Sequence, residues 1–95
     1  MGQSDFIQCE RRKRIRLAAA AYAYEFLNES IISDAEYDEL SNKINLNIKT
    51  GNKKLDSFFS KEFSSYTGQW IHKHPEKEKL VRIVNIIRKS NDVAK

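Results

Sequence analysis

Glycine, proline and cysteine are all scarce in this chain of 95 residues, with three, one and one copies. So few turn formers argue against an all-β fold of short strands and favour helices with short connections. A single cysteine, Cys9, excludes an intrachain disulfide and any cysteine-based zinc site. It suits a reducing compartment, and a cytoplasmic location is expected. No apolar run approaches the roughly 18 residues of a membrane span. The N-terminus MGQSDFIQCERRKRIR carries its charge after its few apolar residues, the reverse of a signal peptide. Gly2 at the second position invites lipidation, but Phe6 stands where the acylation motif wants Ser or Thr. The length excludes a large catalytic scaffold beside a second domain.

The chain does have something to bury. Hydrophobic residues make up 40% of it and aromatic residues 11%, which fits a globular domain and not a disordered one. Charge is unevenly spread. Residues 1–16 carry a net +3, 17–52 a net −4 and 53–95 a net +5. Arg11, Arg12, Lys13, Arg14 and Arg16 form the densest basic cluster, which could neutralise phosphates. The alternative is a solvated helix face, because a net charge of +4 is ordinary for a small domain.

Spacing predicts four helices. The first covers about 9–28, with Ile15, Ala18, Ala19, Tyr22 and Phe26 along one stripe. Tyr22 and Tyr24 lie about 200° apart on it, so one packs and the other lines a groove or meets solvent. Ser33-Asp34-Ala35-Glu36 reads as a capping box opening a helix from Asp34 to about Leu46. Tyr37, Leu40 and Ile44 form its apolar stripe, and Asp34 and Asp38 share a face beside Tyr37. Gly51-Asn52 breaks the chain. Leu55, Phe58, Phe59 and Phe63 then mark a short helix over about 53–63. Tyr66-Thr67-Gly68-Gln69 reads as a turn, and Trp70 to His74 as an extended piece. Pro75 would open the last helix, whose stripe is Leu80, Ile83, Val84 and Ile87. The expected architecture is one all-α domain over 1–95, with an N-terminal helical part at about 11–47 and a C-terminal one at about 53–90.

No complete active site is legible. The chain lacks GxxxxGK[ST], GxSxG, HExxH and GxGxxG, and no lysine sits in the Lys-x-Asp-Gly context of a ligase nucleophile. Two acids four apart, with aromatic residues nearby, could instead hold a flat cationic ring bearing hydrogen-bond donors. The plainer reading makes Tyr37 core and the acids helix N-terminal residues favoured by the macrodipole.

The segment from about Ala18 to Leu40 resembles the N-terminal Ia subdomain of bacterial NAD-dependent DNA ligases. Asp34-Ala35-Glu36-Tyr37-Asp38, with Tyr24 ten residues before Asp34, carries the resemblance. In that family the subdomain closes over the nicotinamide mononucleotide (NMN) half of NAD. The resemblance implies that Tyr24, Asp34, Tyr37 and Asp38 bind a nicotinamide nucleotide. Glu25 stands where the family has histidine, and Asn28-Glu29-Ser30 replaces its Asp-x-Pro. Beyond Leu46 the chain resembles small stand-alone ligase-related proteins of phage and bacterial genomes.

His72 and His74 would point the same way in an extended segment. They could bind phosphate or supply the donor lost at Glu25; the alternative is a surface connection. Trp70 is expected to close the core, with ligand stacking as the alternative. No metal is expected. The sequence therefore supports a non-catalytic ligase-related module binding NMN or NAD. The alternative is a nucleic-acid- or protein-binding adaptor using its basic ends, such as a phage protein acting on host DNA repair or defence. A hydrolase using Asp34 and Asp38 would need one of them to hold a raised pKa.

Overall fold

Six small or apolar positions between 17 and 23 of the first helix organise the molecule. Leu17, Ala18, Ala19, Ala20 and Ala21 are all buried, as is Ala23. A helix buried on every side needs neighbours on every side. Alanine lets them come close and keeps helix propensity high. A computed structural model describes residues 3–64 and 67–93, with side chains over 5–64 and 67–90. It contains α1 (Gln3–Leu27), α2 (Asp34–Lys43), α3 (Lys53–Glu62), a 3-10 helix at Gln69–Lys73, and α4 (Lys77–Val93). The described residues form no strand, and the chain is a single all-α domain. α1 runs through its centre and packs against α2, α4 and the 3-10 helix.

Two apolar clusters share α1. On one side Leu17, Ala18 and Ala21 meet Phe58 and Phe59 of α3, Trp70 and Ile71 of the 3-10 helix, and Leu80. On the other, Ala19, Ala20 and Ala23 meet Ile31, Val84 and Ile87. Tyr22 and Tyr37 pack against both clusters. The expected α4 stripe holds, with Val84 fully buried and Ile83 at its margin. Tyr22 and Tyr24 divide as expected: Tyr22 is half-buried and Tyr24 is 64% exposed.

Several boundaries differ from expectation. α1 begins six residues before position 9. Its first turns include Phe6 at 71% exposure, so no core-facing stripe announces them. Phe26 leaves the expected stripe and is 41% exposed. Ala19 and Ala23 occupy the packing with Val84 and Ile87. The Phe26 ring instead stacks on Tyr22 at 4.8 Å and meets the His72 ring at a tilt at 4.6 Å. Asn28, at φ 54°, turns the chain out of α1, and Glu29 N–H closes on the Ala23 carbonyl at 3.0 Å. Arg88 of α4 then forks onto Glu29, with two contacts of 2.5 Å.

Ser33 caps α2, its Oγ accepting from Glu36 N–H at 3.1 Å. The return half of the expected capping box goes elsewhere, because Glu36 Oε2 receives Arg16 Nε at 2.6 Å. α2 stops at Lys43, short of Leu46, and the Asn45 amide donates to Glu10 at 2.9 Å. Asn52 caps α3, accepting from Leu55 N–H.

Residues 69–73 form a 3-10 helix and not an extended piece. Trp70 and Ile71 are neighbours and both are buried, at 5% and 0% exposure. A strand would send them to opposite faces. Tyr66 lies outside the described residues, but Thr67 Oγ1 accepts from Gln69 N–H at 2.9 Å and completes a turn there. α4 starts at Lys77, two residues after Pro75. Among the described residues, no helix is long and apolar enough to cross a membrane.

Candidate functional site

The Ser33 cap fixes where α2 begins, and so fixes where Asp34 and Asp38 stand on its first turns. Facing them on α1 are Ala20 and Ala21, too small to fill the space, and Tyr24. Thr67 and Gly68 close a third side. The result is a cavity of about 200 Å³ whose wall includes Tyr24, Asp34, Tyr37 and Asp38. These four residues, singled out in the sequence, thus meet on one surface.

Tyr37 is the pivot of this cavity. Its ring belongs to both apolar clusters, while its hydroxyl is buried with the Trp70 side chain as its polar neighbour and no acceptor for its proton among the described residues. Burial pushes the phenol pKa up. The Trp70 side chain pulls against this rise, and the negative charges of Glu25 and Asp38 add to it. The hydroxyl therefore stays protonated at neutral pH and can donate. Gly68 leaves room for it: a Cβ there would stand 3.5 Å from Tyr37 Oη and 3.9 Å from Glu25 Cγ.

Glu25 stands beside the cavity and not in its wall. Its carboxylate meets His72 Nε2 at 3.1 Å. His72 is thus the imidazole that reaches the Glu25 position. His74 does not join it, because the 3-10 turn sends the two rings apart. His74 is 6% exposed, packs edge-on against Phe58 at 5.0 Å, and accepts Glu76 N–H on Nδ1 at 2.9 Å. Burial lowers its pKa, so the ring is neutral. Trp70 closes the core as expected, within 5.8 Å of the Phe58, Phe59 and Phe63 rings.

The basic cluster is largely spent inside the protein. Arg14 is 5% exposed, which corrects its reading as a phosphate contact. Its guanidinium donates to Glu10 at 2.8 Å, to Asp56 at 2.9 Å, and to the Asn45 and Ile48 carbonyls at 2.8 and 3.0 Å. Asp56 also receives Thr50 Oγ1 at 2.6 Å and Thr50 N–H at 3.0 Å. This buried network ties α1 to the 44–52 connection and to α3. Arg11 donates to the Thr50 carbonyl, Lys13 to the Lys43 carbonyl at 2.9 Å, and Arg16 pairs with Glu36. Arg12 is exposed and makes no such bond among the described residues. A signal for this network stood in the sequence, since Glu10 lies four residues before Arg14.

Sequence reasoning missed a second, larger opening. A cleft of about 610 Å³ lies between α1, the start of α3 and α4. Arg11, Lys53, His74 and Lys79 line it together with Ile15, Leu55, Phe59, Leu80 and Ile83.

Among the described residues, no group of three or more His, Cys, Asp or Glu side chains is placed to hold a metal. The fold and the cavity define a small all-α domain with a ligand-sized hollow between its first two helices. No protein family, curated protein or solved structure matches the chain.

Proposed function

We propose that this chain is a non-catalytic helical module, related to the Ia subdomain of NAD-dependent DNA ligases, that binds the nicotinamide end of NMN or NAD between α1 and α2. One arrangement carries the reading: Tyr24, Asp34, Tyr37 and Asp38 share a single cavity. The chemistry is complementary. A nicotinamide riboside is flat and cationic, which suits the exposed Tyr24 ring by stacking and cation–π attraction. Its carboxamide and ribose hydroxyls are donors for the Asp34 and Asp38 carboxylates. The carboxamide oxygen is an acceptor for the Tyr37 hydroxyl, whose proton has no acceptor within the described residues. At about 200 Å³ the cavity falls below the roughly 300–1,000 Å³ of pockets that engulf a drug-sized ligand. It therefore takes the ring and adjoining sugar and leaves the rest of a dinucleotide outside. The adaptor reading has less to stand on, because Arg14 is buried and Lys13 and Arg16 are paired with Glu10 and Glu36.

A ligand-observed NMR titration with NMN, NAD and nicotinamide tests this. Wild type should show saturable binding, and Asp38→Ala and Tyr37→Phe should weaken it with the fold retained. Silence with all three ligands at millimolar concentration overturns the reading.

A further inference from the structure

The cleft between α1, α3 and α4 combines an apolar floor with uncompensated positive charge. Phe59 and Leu80, both buried, form its floor, and the half-buried Ile15, Leu55 and Ile83 form its walls. Four cations line it against one acid, Glu76. Two of the four are neutralised: Arg14 by Glu10 and Asp56, and Lys79 by Glu76 at 2.7 Å. The other two are not. Arg11 donates to the Thr50 carbonyl, which carries no charge, and Lys53 is exposed without an ion pair among the described residues.

Neutral donors converge on the same place. Asn52 satisfies the Leu55 amide with its side chain and the Asp56 amide with its carbonyl. The Lys53 and Lys54 amides at the start of α3 have no place in the helix ladder and lie at its positive end. His74 supplies an independent donor. Its Nδ1 accepts the Glu76 amide, so that nitrogen carries no proton. The neutral ring must then carry its proton on Nε2. That Nε2–H makes no hydrogen bond among the described residues, and the ring, 6% exposed, lines the cleft.

We propose that this cleft binds an anionic amphiphile: a carboxylate on a compact apolar body. The head meets Arg11, Lys53 and the His74 Nε2–H, and the body lies over Ile15, Leu55, Phe59 and Ile83. At about 610 Å³ the cleft has the size of an ordinary small-molecule site. Both halves of the ligand are needed. The charge alone would leave the apolar walls wet, and the body alone would leave the donors unanswered. This site is separate from the nicotinamide cavity and does not rest on that reading.

The test is an amide-shift titration of the ¹⁵N-labelled chain with three probes: octanoate below its micelle concentration, octan-1-ol and acetate. Octanoate should move the Arg11, Lys53, Leu55 and Ile83 amides saturably and leave Tyr37 and Asp38 in place. Octan-1-ol and acetate should bind at least about tenfold more weakly. Lys53→Glu should weaken octanoate by about tenfold. Lys53 is exposed, and an acid at the first position of a helix is favourable, so the variant folds. The proposal is overturned if octan-1-ol binds as tightly as octanoate, if Lys53→Glu leaves affinity unchanged, or if octanoate leaves the cleft amides unmoved.

Discussion

His72 Nε2 lies 3.1 Å from the Glu25 carboxylate, across 47 residues of sequence. The contact joins the 3-10 helix to the last turns of α1, beside the cavity that holds Tyr37. The acid at position 25 thus faces an imidazole from elsewhere in the fold. Its charge still reaches the cavity, since it helps to raise the Tyr37 pKa. A ligand carrying a phosphate would feel the same negative charge as repulsion. Glu25→Gln keeps the shape and removes the charge. It should tighten NMN by about threefold relative to nicotinamide riboside, whose cationic ring loses an attraction to the acid and which has no phosphate to be relieved. Parallel titrations of both ligands would decide. Equal effects on the two would show that Glu25 acts on the ring and not on the phosphate.

Gly68 gives a way to close the cavity between α1 and α2 without damaging the fold. Its backbone, at φ −91° and ψ 1°, is open to any residue. An added Cβ would make ordinary contacts of 3.5 Å with Tyr37 Oη and 4.0 Å with Ala21 Cβ. Gly68→Ala should therefore leave stability unchanged or raise it by up to about 1 kcal/mol. It should also weaken NMN binding, because the methyl group occupies ligand space. Urea denaturation and the NMR titration, run on the same sample, would separate the two effects. Unaltered binding would place the ligand elsewhere.

Local patterns made the four α-helices readable in advance, together with the nearness of Tyr24, Asp34, Tyr37 and Asp38. Ser33 announces its own cap, and that cap sets Asp34, Tyr37 and Asp38 in register with Tyr24. What escaped was decided by partners distant in sequence. Glu36 turns from its own capping box to Arg16 on another helix. The Asn45 amide goes to Glu10 as α2 ends early. Arg14 reads as one cation among five, until the fold surrounds it with two acids and two carbonyls. The first turns of α1 carry no periodic signal because they bury no stripe there. The cleft between α1, α3 and α4 had no signature at all, since its walls come from three helices and His74.

The buried network makes Arg14 a stability residue. Arg14→Met removes the cation that faces Glu10, which is fully buried, and Asp56, which is nearly so. Breaking a buried pair from one side costs about 3–5 kcal/mol, although Lys13, 3.1 Å from Glu10 Oε1, still compensates part of the charge left behind. A domain of this size has only about 5–15 kcal/mol in total. Arg14→Met should therefore fall close to its unfolding midpoint in mild urea. Arg14→Lys keeps the charge but not the planar fork that serves four acceptors, and should recover only part of the loss. Circular dichroism against urea would show the order wild type, Lys, Met. A Met variant as stable as wild type would mean that the network adds nothing to folding.

His74 should make the protein sensitive to mild acid. Burial holds its pKa below the ordinary histidine value, against the opposing pull of Glu76 and Glu78 and with a smaller contribution from Lys77. The unfolded chain takes up this proton at about pH 6.5, while the folded chain resists it to lower pH. Between the two values the unfolded state binds more protons, so stability rises with pH there. The contribution of His74 is complete above about pH 6.5 and is lost as the pH falls toward the folded-state pKa. His74→Asn preserves an acceptor near the Nδ1 position for the Glu76 amide but does not titrate. It should lower stability at neutral pH through lost packing on Phe58, whose ring centroid lies 5.0 Å from that of His74. It should also flatten the rise of stability with pH just below about pH 6.5. Urea midpoints measured across that range for both proteins give the two slopes. Parallel profiles would mean that His74 protonates as readily in the fold as outside it, and that its burial imposes no proton linkage.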